Sequence, residues 1–312
     1  MSDPDAVTRS PVLLTGAHRS GTTWVGRMLA LSPQIGYINE PFNPHHQRGV
    51  CACAFPLWFQ YVNGENEHRF RRHLGAMLAF RYRLGPQLAH TRSLQSLEFL
   101  LRDGRTFARS RARRARPLVK DPIAALSADW LSRTFGMTTI VLVRHPAAFA
   151  ASLQRLGWSH RFEDFLAQPA LMRERLHDFE GEIRSMVDEP HDIIDQASLL
   201  WRIIYSVLLR YREAHPDWIV VRHEDLARDP VRGFAELYRR LGLEYSGGII
   251  DQVAWYAGGS SELEANPPPY AIRRDSGQTI ASWRRRLTRE QQSRLRSQVE
   301  QQASEFYTAS EW

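Results

Sequence analysis

Between residues 12 and 42 the chain gathers groups suited to holding an anion and to moving a proton. Gly16 and Gly21 bound a loop that carries His18, Arg19, Ser20, Thr22 and Thr23. A loop of this kind, set between an apolar run and a helical stretch, aims successive N–H groups at one point beside the positive end of a helix dipole. Its natural guest is a phosphate or a sulfate. The glycine spacing matches the nucleoside-triphosphate loop G-x-x-x-x-G-K-[ST], but Thr22 occupies the lysine position, so the ammonium that ATP or GTP chemistry uses is missing. The cation arrives earlier, as Arg19. Glu40 ends the next apolar run, and a carboxylate there, across from Arg19, is a candidate general base or a brace for the loop that follows it.

These groups need strands that end together. Val12–Leu14, Ile35–Asn39, Leu118–Lys120, Thr138–Val143 and Trp218–Arg222 read as short strands, the fourth β-branched and apolar throughout, as in a strand buried on both faces of a parallel sheet. In open parallel sheets ligands gather at the carboxyl ends of strands, which puts the 16–23 loop, Glu40, Lys120 and Arg144 on one rim. Helical composition follows at Thr22–Leu31, Glu67–Arg83, Leu94–Arg109, Ser159–Tyr211, Pro230–Leu241 and Thr288–Phe306, with His45–Trp58 as an irregular loop. The expected fold is α/β, a central, mainly parallel sheet flanked by helices, with a helical insertion after the second strand. Aromatic residues crowd that insertion (Phe55, Trp58, Phe59, Tyr61, Phe80, Tyr82), either as core or as an acceptor pocket.

Composition narrows the classes. A chain of 312 residues with 43% apolar content can bury one large core. It has no apolar run of membrane-spanning length, and its acidic, proline-bearing start does not read as a signal peptide, so a soluble, cytoplasmic enzyme is expected. The two cysteines, Cys51 and Cys53, are too close in sequence for a disulfide framework. With His45 and His46 they could ligate zinc, but the spacing is not a standard one, and thiols in a loop or core are the plainer expectation. The net charge of +7 suits a polyanionic ligand. Of 41 basic residues a single one, Lys120, is lysine. A compact three-donor ammonium is not interchangeable with a planar guanidinium, so its position on the rim matters. The arginine run 109–116 precedes a strand and belongs at the opposite edge, as a solvated face or a patch for an acidic polymer; nucleic acid is not the expected partner.

Arg19-Ser20-Gly21-Thr22-Thr23-Trp24 resembles the 5′-phosphosulfate loop of sulfotransferases that use 3′-phosphoadenosine 5′-phosphosulfate (PAPS). The resemblance implies a P-loop NTPase-like fold, with Arg19, Ser20, Gly21, Thr22 and Thr23 on the phosphosulfate and Trp24 against the adenine. In tyrosylprotein sulfotransferases and similar enzymes a glutamate at the end of the next strand is the base, and Glu40 matches that placement. Lys120-Asp121-Pro122 looks like the segment whose lysine faces the reacting sulfate, making Lys120 a stabiliser of developing charge. Asp121 is then expected to orient Lys120 or the turn. Arg144 and Ser152, eight residues apart, match the 3′-phosphate motif. Arg273 and Arg274 are similar to a late basic segment that covers the same phosphate, although an aspartate interrupts the pattern. His223-Glu224-Asp225-Leu226 resembles a segment whose acidic pair braces the fold. A histidine serves as base in cytosolic relatives, which keeps His18 open as an alternative.

The resemblance thus implies one sulfotransferase domain over 1–312, with 43–116 as an insertion on the acceptor side and 258–287 as a mobile segment covering the cofactor. The implied reaction moves a sulfonate from PAPS to a hydroxyl acceptor, a small molecule or a glycan, by in-line displacement. It asks for no metal, because the sulfonate arrives charged and its leaving group is good. A P-loop kinase and a non-catalytic nucleotide- or polyanion-binding protein are the alternatives. The first would need a lysine at position 22, and the second leaves Glu40 and Lys120 without a task.

Overall fold

The computed structural model describes residues 10–90, 94–258, 277 and 280–312. Its five-stranded sheet has the order β2-β3-β1-β4-β5, from β1 (Val12–Gly16), β2 (Ile35–Asn39), β3 (Arg116–Lys120), β4 (Thr138–Val143) and β5 (Ile219–Arg222). Every neighbouring pair is parallel. All five carboxyl ends therefore lie along one rim, as expected for this pattern of strands and helices.

Numbering only helices of seven or more residues, the sheet is flanked by α1 (Thr22–Leu29), α2 (Arg71–Leu78), α3 (Leu84–His90), α4 (Leu94–Ala112) and α5 (Ala128–Phe135). They are followed by α6 (Pro146–Leu156), α7 (Glu180–Asp188), α8 (Ile193–Ala214), α9 (Pro230–Arg240), α10 (Gly247–Ala257) and α11 (Arg289–Ala303). Alternating strand residues feed two apolar layers. Leu13, Val119 and Val141 face α6 and α8, whereas Leu14, Leu118 and Leu142 face α1 and α9. The long α8 begins at Asp192, whose Oδ1 accepts from the amides of Ile194 and Asp195, and α11 begins on a Thr288–Gln291 capping box.

The insertion departs from the expected helix over 67–83. A 3₁₀ turn and α2 use its first part, and the chain then leaves helical geometry at Phe80, which has φ 50°. The reason is packing: the Phe80 ring fills the space where Gly36 of β2 lacks a side chain, and a Cβ there would lie 2.3 Å from the ring. Phe55, Phe59, Tyr61 and Phe80 are buried in the main core and Trp58 and Tyr82 pack partly against it, so the aromatic crowd is core and not an open acceptor pocket. Over 159–211 the helical stretch consists of several helices, as expected, because Pro169 and Pro190 interrupt it before α8.

The arginine run also divides. Arg111, Arg113 and Arg114 are exposed, but Arg116 is buried at the amino-terminal end of β3. Its guanidinium donates to the carbonyls of Ser10 at 2.5 Å and Leu241 at 2.7 Å and to Thr138 Oγ1 at 3.0 Å. Burial pulls its pKa down to about 10, and it acts as a brace between chain segments. Among the described residues no helix is long and apolar enough to cross a membrane.

Candidate active site

Strand register assembles the first half of the site. Asn39, Lys120 and Leu14 stand side by side on β2, β3 and β1. The ladder runs one residue further: the Glu40 amide donates to the Lys120 carbonyl at 2.8 Å, and the Asp121 amide to that of Leu14 at 2.9 Å. Glu40 then turns out of the sheet at φ 44°, in the left-handed region, which aims its carboxylate back over β3. Lys120 Nζ donates to Glu40 Oε1 at 2.5 Å, and Asn43 Nδ2 donates to Glu40 Oε2 at 3.1 Å. Lys120 is 1% exposed. Its stem runs past Gly26 of α1, where a Cβ would lie 3.2 Å from Lys120 Cγ and 2.9 Å from the Tyr37 ring. An ammonium has three donors, and Glu40 engages one of them.

Asp121, fully buried, accepts from the amides of Phe42 at 2.6 Å, Ile123 at 2.9 Å and Ala124 at 3.3 Å. It fixes the turns after β2 and β3 together, so it orients the loop behind Glu40. Burial, reinforced by the charge of Glu40, pushes its pKa from 3.8 to about 7. A raised native pKa means the folded state holds a proton that the unfolded chain releases, so this group's contribution to stability is lost as pH rises from about 4 to about 7. Asp121→Asn should remove that pH dependence. At pH 8 it should also cost roughly 1–3 kcal/mol, because the asparagine NH₂ cannot accept from the buried amides it faces. Denaturant midpoints at several pH values check both effects.

The second half is the loop after β1. Gly16 (φ 140°) passes so close to β4 that a Cβ would overlap the Leu142 carbonyl oxygen. Arg19 and Gly21 take φ 64° and 98°, the turn that points successive amides inward. Gly21 is the N-cap of α1 and no side chain caps it, so the first-turn amides have no partner within the helix. Ser20 is buried and its Oγ has no partner among the described residues. An uncapped helix start beside an orphaned buried hydroxyl fits an oxyanion of phosphate or sulfate. At Gly21 a Cβ would lie 2.5 Å from His223 Nδ1 as well as at an unfavourable φ. Gly21→Ala should therefore weaken nucleotide affinity at least tenfold, measured by titration calorimetry with adenosine 3′,5′-bisphosphate, and lower the melting temperature as well. Thr22 is buried, and Thr23 and Trp24 are half-buried, with Trp24 set edge-on to His223 and Phe234 at 5.6 and 5.2 Å.

β4 delivers Arg144, and α6 starts at Pro146 with His145 as its N-cap. Ser152 on α6 accepts from Arg19 Nε at 3.3 Å, and Arg144 Nη1 donates to the Arg19 carbonyl at 2.5 Å. Arg19 also lies over the Trp158 ring at 5.4 Å. The two expected anion cradles thus adjoin, with Arg19 as their common member. His18 packs edge-on to Phe149 at 5.3 Å, and its Nδ1 is buried without a partner among the described residues. Burial, and then the neighbouring Arg19 charge, lower its pKa to about 4. Arg273 and Arg274 lie outside the described residues, as does most of 258–287.

Several residues with structural work at the site carried no sequence signal. Tyr205 on α8 accepts from the Ala17 amide at 3.3 Å and donates to the Leu142 carbonyl at 3.0 Å, which ties the first loop to β4. Trp201 Nε1 donates to the Arg144 carbonyl at 3.0 Å. Both read as core positions of a long helix, and both are completely buried. Glu224 accepts from the His145 amide at 3.0 Å and the Tyr307 hydroxyl at 2.9 Å, the bracing role expected for its segment. Beyond Glu40, His46 spans the carbonyls of Asn43 and Cys51, each at 2.8 Å, and the buried sulfurs of Cys51 and Cys53 lie 3.1 Å apart. His46 is thus committed to backbone, and no group of three or more His, Cys, Asp or Glu suited to a metal occurs among the described residues.

The model of the sulfotransferase family matches residues 11–247. Carbohydrate sulfotransferase 1 of Danio rerio is 34% identical over 80 residues, a stretch that covers 24% of this chain and 19% of that protein. The chain therefore matches only about a fifth of that relative's length. Among solved structures, the sulfotransferase domain of the Synechococcus PCC 7002 olefin synthase superposes with TM-score 0.50 at 17% identity, covering 96% of each chain. A sulfotransferase from Mycobacterium avium gives TM-score 0.46 at 14% identity, over 97% of this chain and 79% of that one. The fold is that of the olefin synthase's sulfotransferase domain.

Proposed function

We propose that this chain, which belongs to the sulfotransferase family, moves a sulfonate group from PAPS to a hydroxyl acceptor, with Glu40 taking the acceptor's proton. The observation that carries the reading is the Lys120–Glu40 pair on the rim beside the uncapped start of α1. Glu40 Oε1 lies 2.5 Å from the buried Lys120 ammonium, and a carboxylate held at the rim in this way is positioned to take the proton of an acceptor hydroxyl. The donors of Lys120 not engaged by Glu40, with Arg19 and the first-turn amides of α1, supply positive charge where a sulfonate and its leaving oxygen would carry negative charge.

PAPS, when bound, supplies a sulfonate already joined to a good leaving group; its S–O bond to phosphate breaks as the acceptor oxygen bonds to sulfur. The chain's own residues hold and orient. Ser20, Gly21, Thr22 and Thr23 suit the 5′ end, and Arg144 and Ser152 suit the 3′-phosphate, with Arg19 between them. Trp24 is the aromatic face offered to adenine. His18 suits the base role poorly, because its cation would be buried beside Arg19. The chain would act as one sulfotransferase domain with 43–116 on the acceptor side.

The test is transfer of labelled sulfate from PAPS across a panel of hydroxylated acceptors, with sugars first because of the short match to a carbohydrate sulfotransferase. Transfer that depends on Glu40 supports the reading. Tight binding of adenosine 3′,5′-bisphosphate without transfer to any acceptor would turn it toward a binding protein, and Mg²⁺-dependent ATP turnover toward a kinase.

A further inference from the structure

The surplus charge of this chain, and much of the apolar surface exposed among the described residues, fall in one stretch of the sequence. Residues 81–114 hold nine arginines against Glu98 and Asp103, a surplus of seven that equals the net charge of the whole chain, +7. The rest of the molecule is therefore neutral on balance. Four of the seven large apolar residues exposed among the described residues lie in the same segment: Leu84 (55% exposed) and Leu88 (59%) on α3, and Leu97 (41%) and Leu101 (46%) on α4.

Helical spacing sorts these residues onto outward faces. Leu84 and Leu88 are one turn apart on α3, and Gln87, between them in sequence, is buried, exchanging hydrogen bonds with the Gly49 amide and the Gln47 side chain, each at 2.8 Å. On α4 the buried positions among the described residues are Leu100, Phe107 and Ser110. Leu97, Leu101, Arg105 and Arg109 follow one another at four-residue intervals on the exposed side. Arg81, Arg83, Arg105 and Arg109 have no acidic partner among the described residues. Arg81 and Arg83 also rim a cleft of about 410 Å³ with Arg72 and His73, and no acidic residue lines it. α4 is fixed to the body, because Phe107 packs edge-on to Phe80 and Tyr82 at 5.5 and 5.6 Å.

Solvent-facing leucines beside solvent-facing arginines on two successive helices have a specific complement. We infer that the α3–α4 segment docks the protein on an anionic lipid surface, with leucines entering the acyl boundary and arginines on the headgroup phosphates. A second copy of the chain would bring like charges face to face. A nucleic acid would match the arginines and leave the leucines without a role.

Co-sedimentation of the full chain with vesicles tests this. Binding to mixed phosphatidylglycerol and phosphatidylcholine vesicles is expected to be at least tenfold tighter than to phosphatidylcholine alone, and to weaken with salt. Leu88→Gln with Leu101→Gln, and separately Arg105→Gln with Arg109→Gln, should each weaken it about tenfold or more at an unchanged melting temperature. Leu84→Gln with Leu97→Gln is the second leucine pair should the first perturb folding. Absence of sedimentation with the anionic vesicles overturns the inference. So does full binding by the leucine variants, which would leave charge alone and assign the face to an acidic macromolecule.

Discussion

Glu40→Gln is expected to lower sulfate transfer by roughly 10²–10⁴-fold, the range for loss of a positioned general base, while affinity for adenosine 3′,5′-bisphosphate is retained. The substitution keeps the shape and the contact with Asn43 and removes both the proton acceptor and the counter-charge of Lys120. It carries a stability cost too, because a nearly inaccessible ammonium loses its carboxylate. That cost is moderated by the Glu40 side chain, which is 22% exposed and leaves water a path to the pair. Single-turnover transfer of labelled sulfate, with calorimetric binding of the bisphosphate on the same preparation, separates the two effects. Full transfer by the variant would return Glu40 to bracing its loop and shift proton removal to His18 or to the acceptor itself.

Lys120→Arg is expected to lose roughly 10²–10³-fold in transfer although the formal charge is kept, a loss comparable to removing one oxyanion donor. The guanidinium is longer and planar, and it would have to be held at the end of a buried stem that runs past Gly26. Lys120→Met fits that path but supplies no donor, so both variants should be impaired, for different reasons. Arginine should disturb nucleotide affinity and folding together, whereas methionine should reduce the transfer step. Full activity in the arginine variant would make the single lysine a coincidence of composition.

That Glu40 and Lys120 share a rim was legible because two short apolar runs end at those residues and parallel strands bring their ends together; that the two side chains pair was not. The loop around Gly21 was legible for a similar reason: local turn chemistry fixes it whatever surrounds it. Contacts that depend on how distant helices cross were not legible. Tyr205 and Trp201 look like any other buried aromatic of α8, and only the packing of α8 under the β1 and β4 ends brings their polar atoms to the loop backbones. The contact of Arg19 with Ser152 has the same origin, since it depends on how far α6 lies from the first loop. Arg116 was grouped with its exposed neighbours because a charge run gives no sign of which member turns inward at a strand start. Phe80 left its helix for a space that only the neighbouring strand's glycine defines.

Having one lysine gives the protein a built-in spectroscopic reporter. Isotope-labelled lysine would place one side-chain resonance in the whole spectrum, with no assignment problem, at the atom 2.5 Å from Glu40. Its chemical shift would follow protonation, substrate entry and product departure directly. Amine-directed reagents would likewise have this one ε-amino group to find, and their rate of attack would measure how often the buried pair opens.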